Sequence, residues 1–181
     1  MCCLKAVSYN ACKTLGEFDS FMHWTEHADE VFEWSIGAFF EFDGKLTGSV
    51  LPEVIDMGTC RVWRHYPGPG SYSMAFAVKA PLVSCIRNMK GHGRAMSAHF
   101  VSPSINLHIL LWHGTHGQEL QASLKDLAWL ARKKPRRAVQ ILLCDSNVDF
   151  APVLATDLFS ELRTFDSHAW MHGVFESFFV V

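Results

Sequence analysis

Residues 141–150 read ILLCDSNVDF. Ile141, Leu142, Leu143 and Cys144 form an unbroken apolar run, and Asp145, Ser146, Asn147, Val148 and Asp149 follow it directly. A short apolar run that stops at turn-forming residues is the pattern of a buried strand. Asp, Ser and Asn suit the turn because their side chains bond to the nearby backbone. Two carboxylates and an amide at the mouth of a buried strand are also what a metal-assisted active site uses. The choice between a turn and a site depends on what the rest of the chain brings to the same place.

Upstream of this strand, 117–133 carries Leu120, Leu124, Leu127, Leu130 and Ala131 at helical spacing, with Pro135 just beyond. Before that helix, the segments LVSCIRNM, RAMSAHFVS and INLHILLWH read as a meander of three strands, broken by Gly91-His92-Gly93 and by Pro103. CRVWRHY and SYSMAFAVKA flank Pro67-Gly68-Pro69-Gly70 and read as strand, turn, strand. Nearer the start, LKAVSYN alternates as a first strand, and FDSFMHWTEHADEVFEW reads as a helix with Asp19 or Ser20 as N-cap. SIGAFFEF is a second strand that ends in Glu41 and the turn Asp43-Gly44. After 144, a short helix is expected over 156–163. Hairpin strands mixed with crossover helices define an α/β layered fold containing antiparallel pairs.

The 181 residues suit one domain, 1–181, and with 49% hydrophobic and 19% charged residues they can fill a core. The net charge of -2 gives no global pull toward nucleic acid, so any such binding must come from a local patch. Six cysteines at 2, 3, 12, 60, 85 and 144 form no Cys-x-x-Cys pair and read as reduced thiols. The opening MCCLKAVSYN lacks a basic region followed by an apolar one, and no apolar run reaches the length of a membrane span. These features predict a soluble intracellular protein, in cytoplasm or nucleus, with no membrane partner.

Four strand ends share one property. Asn10 closes the first strand, Glu41 the second, His113 the strand INLHILLW, and Asp145 with Asn147 the strand AVQILLC. In open α/β sheets, sites form beyond the carboxyl ends of strands, so residues far apart in sequence can converge there. A hard divalent cation takes one or two carboxylates and keeps its waters for phosphate oxygens. A second carboxylate can orient or deprotonate water. Amide and imidazole donors can bind charge developing on a phosphoryl group.

AVQILLCDSNVDF resembles the strand that carries the Gly-Asp-Phe-Asn motif of the endonuclease/exonuclease/phosphatase family, with Cys144 at the Gly and Ser146 at the Phe. VSYNA resembles that family's first strand, which ends in Trp-Asn, here Tyr9-Asn10. IGAFFEF resembles the strand that ends in Gln-Glu, here Phe40-Glu41. HGRAMSAHF and INLHILLWHG are similar to its two central strands, the second closing near a catalytic His or Tyr. PRRAVQILLCDSNVDFAPVLATD is most similar to the endonuclease-like domains of retroelements. The resemblance implies a layered α/β sandwich with mixed, largely antiparallel sheets, incomplete at the C-terminus, its last strands missing. It implies a Mg²⁺-dependent phosphodiester or phosphomonoester hydrolase, Mn²⁺ serving in place of Mg²⁺, acting on a phosphoester such as a nucleic acid. Glu41 would bind the metal, Asp145 would orient or activate water, Asn147 and Asn10 would fix phosphate and carboxylates, and His113 would stabilise transition-state charge. No counterpart of the family's Ser-Asp-His motif is found; Asp166-Ser167-His168 has another order and comes too early. That absence favours the alternative, a catalytically inactive remnant or binding module, or a fragment of a retroelement polyprotein, while the retained Glu41, Asp145 and Asn147 favour the hydrolase.

Other groups have plainer readings. His113-Gly114-Thr115-His116 fits no specific zinc spacing, and His108 reads as a strand residue. The basic run Arg132, Lys133, Lys134, Arg136, Arg137 suits the solvated C-terminus of a helix. Trp63, Trp112, Trp129 and Trp170, like Met74, Met89 and Met96, read as core.

Overall fold

The computed structural model describes residues 4–11, 18–42, 54–68, 71–115, 119–145, 147, 163–165 and 178–180. Along the chain run β1 (Ala6–Asn10), α1 (Phe18–Phe32), β2 (Ile36–Phe40), β3 (Val54–Asp56), β4 (Cys60–His65) and β5 (Met74–Lys79). A 3₁₀ helix (Ala80–Cys85) leads into β6 (Ile86–His92), β7 (Ala95–Val101), β8 (Asn106–His113), α2 (Glu119–Ala131) and β9 (Val139–Asp145). Two short strands follow, β10 (Arg163–Phe165) and β11 (Phe178–Val180).

Two sheets form, ordered β1-β2-β5-β4-β3 and β10-β11-β9-β8-β7-β6. Each holds one parallel pair, β1 with β2 and β8 with β9; the other pairs are antiparallel. A parallel pair needs a crossover, and α1 and α2 supply the two. The architecture is therefore an α/β sandwich with mixed, largely antiparallel sheets.

Alternation along the strands builds three apolar layers. Ile36, Ala38 and Phe40 of β2, with Met74, Phe76 and Val78 of β5, meet Met96, Ile109, Leu111 and Leu143 of the other sheet. The opposite face of the first sheet packs with α1, where Phe21 lies edge-on to Phe39 at 5.3 Å and Trp24 edge-on to Phe39 at 4.8 Å. The opposite face of the second sheet packs Leu110, Trp112 and Leu142 against Leu124, Leu127 and Leu130 of α2. Because β2 is buried on both faces, its sequence is a continuous apolar run and not an alternating one. Each fully buried large side chain contributes about 1.5–3 kcal/mol. Gly37 is required here, since a Cβ would meet the Phe39 ring.

Several expectations change in detail. α1 begins at Phe18, so Asp19 and Ser20 sit within its first turn. Residues 82–85, read as the start of a strand, belong to the 3₁₀ helix, because Pro81 near its start lacks a ladder donor and sets a turn between the two sheets. β3 was unforeseen because three residues show no period. The sheet also continues past β9, where β11 pairs with β9 and β10 with β11, although no strand was expected there. Residues 156–162 of the expected last helix lie outside the described residues, and Arg163 opens β10. Cys60, Cys85 and Cys144 are free thiols. Among the described residues no helix is long and apolar enough to cross a membrane.

His108 is a strand residue on the α2 side of β8. Its Nδ1 accepts a hydrogen bond from Gln140 Nε2 at 2.8 Å, and the same amide donates to Ala131 O at 3.2 Å near the end of α2. Burial first, then His99 and Lys134, push His108 down from 6.5 to about 4. Burial pushes His113 down to about 4 as well. A histidine lowered in the folded state is protonated first in the unfolded chain. Its stabilisation is therefore complete above pH 6.5 and is lost as the pH falls toward 4. Each such histidine adds a slope of at most about 1.4 kcal/mol per pH unit in that window. Denaturant titrations between pH 7 and 4.5 should show stability falling with pH, with a visibly smaller slope in His108→Gln. An unchanged slope in that variant would rule out a neutral buried His108.

Candidate active site at the shared rim of the two sheets

Parallel pairing aligns strand ends. Asn10 pairs in register with Phe40, and His113 with Asp145, so both parallel pairs present their carboxyl ends. The two sheets meet there through β1 and β9: Ser8 Oγ donates to Cys144 O at 3.4 Å, and Asn10 Nδ2 donates to Asp145 Oδ2 at 2.7 Å. His113 is almost fully buried between them, with its ring 5.8 Å from that of Phe40. Its Nε2 stands 4.0 Å from Glu41 Oε1 and 4.0 Å from Asp145 Oδ2, near both carboxylates but too far for a hydrogen bond to either.

The loop geometry at this rim is unusual. Glu41 follows β2 with φ 49° and Asn147 follows β9 with φ 50°, both in the left-handed region that side chains rarely adopt. Asn147 hydrogen-bonds to Asp145 through backbone and side chain, and its Nδ2 donates to Gly114 O at 3.3 Å. Gly114 N in turn donates to Asp145 O at 2.8 Å. Asn147 is thus a turn residue, as its type suggests, and the turn also brings its amide to the rim.

Arg94 belongs to the same cluster, and no role was read for it from the sequence. It precedes β7, opposite His113, whose N–H donates to Arg94 O at 3.1 Å. Arg94 Nε donates to His113 O at 3.1 Å, and a terminal guanidinium nitrogen lies 3.4 Å from His113 Nδ1. A guanidinium can only donate, so His113 Nδ1 holds the lone pair and the proton sits on Nε2, on the carboxylate side. The β7–β8 register carries the signal: Ala95 pairs with Trp112, which places Arg94 beside His113.

Charge and burial oppose each other at this rim. Burial raises the Asp145 carboxyl above 3.8, against the pull of Asn10, Asn147 and Arg94. Burial also lowers Arg94, against the surrounding Glu119, Glu41, Asp126 and Asp145. His113, held near 4 by burial and Arg94, is a neutral donor at neutral pH. Among the described residues no group of three or more His, Cys, Asp or Glu could hold a metal. Two part-exposed carboxylates near one histidine do suit a hard cation that keeps most of its water.

Asn10, Glu41, His113, Asp145 and Asn147 therefore share one edge, joined by Arg94. His116, Ser146, Asp149, Asp166, His168 and Trp170 lie outside the described residues. His108 faces α2, away from the rim, so it shares no metal with His113. The basic run is exposed at the N-terminal end of β9, about 20 Å along that strand from Asp145. Trp112, Met74 and Met96 are core, and Trp63 and Met89 pack at its margin. Trp129 departs from its core reading: it is 40% exposed, on the side of α2 away from the buried leucines.

No protein-family model and no curated protein sequence matches the chain. Solved structures do. A humanized TDP2 of D. rerio is 10% identical, covers 98% of this chain and 82% of its own, and superposes with a TM-score of 0.61. The endonuclease domain of TRAS1, a telomere-specific non-LTR retrotransposon, is 10% identical with 98% and 84% covered and a TM-score of 0.60. The human Nocturnin catalytic domain is 6% identical with 98% and 82% covered and a TM-score of 0.59. At such identities the likeness establishes architecture: the chain has an endonuclease/exonuclease/phosphatase-like fold.

Proposed function

We propose that the chain is a divalent-metal-dependent phosphoester hydrolase, of nuclease-like type, working at the rim of Asn10, Glu41, His113, Asp145 and Asn147. The observation that carries this reading is His113 Nε2 standing 4.0 Å from both Glu41 and Asp145 while Asn10 holds Asp145 at 2.7 Å. The fold shared with TDP2, a retrotransposon endonuclease and a mannosyl-6-phosphatase supports it. The TDP2 of D. rerio has been solved with a single-strand DNA product, which makes nucleic acid a natural first substrate to test.

Glu41, with Asp145 close by, would hold Mg²⁺ or Mn²⁺ through oxygen. When bound, the cation supplies Lewis-acid stabilisation of phosphoryl charge. Asp145 orients a water for in-line attack and accepts its proton, and its raised carboxyl suits it to that task. Asn10 fixes the Asp145 carboxylate through Oδ2, and Asn147 adds backbone and side-chain hydrogen bonds that hold it. Asn147 adds an amide beside Asp145. His113, neutral and protonated on Nε2, donates to a phosphoryl oxygen, and Arg94 fixes that tautomer from behind while adding positive charge.

Glu41 and Asp145 each place a carboxylate oxygen 4.0 Å from His113 Nε2, and a cation bound there would be attracted to both. Millimolar Mg²⁺ should raise the melting temperature by a few degrees in wild type, and by much less in Glu41→Gln. An equal rise in both would remove Glu41 from the metal site.

Turnover of a chromogenic phosphodiester and of a labelled oligonucleotide should be slow, Mg²⁺-dependent and abolished by EDTA. Asp145→Asn should lower it by about 10²–10⁴. A lack of metal-dependent turnover on every phosphoester would favour the binding-module reading instead.

A further inference from the structure

An exposed tryptophan on α2 connects to the candidate site through a continuous chain of contacts. Its first links are Arg94, which donates to His113, and Asp126 of α2, whose Oδ2 accepts from Arg94 N at 3.1 Å. Gly93, with φ 49°, makes this approach possible, because a Cβ there would collide with the Asp126 carboxylate. His92 Nε2 lies 3.6 Å from Asp126 Oδ1, and the His92 ring stacks on Trp129 at 4.3 Å and 29°. Lys133 Nζ is 5.1 Å from the Trp129 ring centroid. Beyond it come Arg132, Lys134, Arg136 and Arg137, all exposed.

The α2 helix explains why this surface exists. Leu124, Leu127 and Leu130 face the sheet, which leaves Lys125, Trp129 and Lys133 four residues apart on the outer side. The acidic residue within this stretch, Asp126, is engaged by the Arg94 N–H. Of the large apolar side chains exposed among the described residues, Trp129 is the one aromatic. Neither the core nor the rim chemistry explains an exposed indole in contact with an imidazole and near an ammonium.

We propose that this strip, from Arg94 over His92 and Trp129 to Lys133 and the basic residues beyond α2, is a binding track for single-stranded nucleic acid. The proposal rests on the hydrolase reading only for the strand's course, since the scissile phosphodiester would lie at the rim. A nucleobase extends the His92–Trp129 stack, and the cations of the helix end take the phosphates. Base stacking on aromatic residues with cations tracking the backbone is how single strands are held without sequence preference. The rim and the basic run lie about 20 Å apart along β9, and the helix from Asp126 to Lys133 runs alongside about 10 Å of that span, which is room for a few nucleotides.

The test is fluorescence anisotropy of a labelled oligothymidylate of about 12 nucleotides, within the usual site sizes, titrated with the full chain in EDTA. Wild type, Trp129→Ala, Trp129→Phe and Lys133→Gln are compared, each checked for folding by thermal melt. Trp129→Ala should weaken binding about tenfold, and Trp129→Phe should restore most of it. Lys133→Gln should lower the slope of log affinity against log salt by about 0.7. Turnover of a small chromogenic phosphodiester should be the same in Trp129→Ala as in wild type. Trp129-dependent binding without any turnover by wild type would support the track while sinking the hydrolase reading. Equal oligonucleotide binding by wild type, Trp129→Ala and Lys133→Gln would overturn the track and leave the hydrolase reading intact. Tighter binding to phosphatidylserine vesicles than to the oligonucleotide would also overturn it.

Discussion

The structure depends on one packing constraint: two sheets meet face to face with the carboxyl ends of their parallel pairs on the same side. Ile36, Phe40 and Phe76 close against Ile109, Leu111 and Leu143, and this apolar contact fixes how the sheets lie relative to each other. Residues 135 positions apart can then form a hydrogen bond, Asn10 to Asp145. Asn10, His113 and Asp145 are placed by strands packed on the core, while Glu41, Arg94 and Asn147 sit in turns at strand ends. The precision that strands give is hard to obtain from loops alone, because catalytic geometry must be kept within fractions of an ångström.

The core also supports a rim that is unfavourable by itself. Asp145 is a carboxyl whose burial resists ionisation, His113 is an imidazole kept neutral, and Arg94 is a half-buried cation among acids. Glu41 and Asn147 add left-handed backbone, which costs roughly 1–3 kcal/mol at each residue. Perturbed ionisation at Asp145, His113 and Arg94 beside two left-handed residues makes this rim the candidate site, though Glu33, Asn88 and Arg137 are left-handed elsewhere. The rest of the fold offsets the cost of the rim through three apolar layers.

Much of this was legible from residue pattern. Apolar runs ending in Asn10, Glu41, His113 and Asp145 marked the strand ends, and the helical spacing of Leu120, Leu124 and Leu127 marked the crossover between β8 and β9. Hydrophobic period reports which face is buried, so it located the layers. It does not report register. Arg94 was missed because its importance lies in standing opposite His113, a fact of the β7–β8 pairing. Trp129 was misread because residue type alone suggests burial, whereas its position on α2 puts it outside the leucine stripe. Strands of three residues, such as β3, β10 and β11, are too short to carry a period.

The central proposal is that Glu41, with Asp145 close by, would hold one hard divalent cation at the rim. Electron paramagnetic resonance of Mn²⁺ titrated into the protein tests it without any assumption about substrate. The account predicts loss of the free Mn²⁺ signal with a single site per chain, retained in His108→Gln and lost in a Glu41→Gln, Asp145→Asn double variant that still melts cooperatively. Mn²⁺ binding that persists undiminished in the double variant would contradict it.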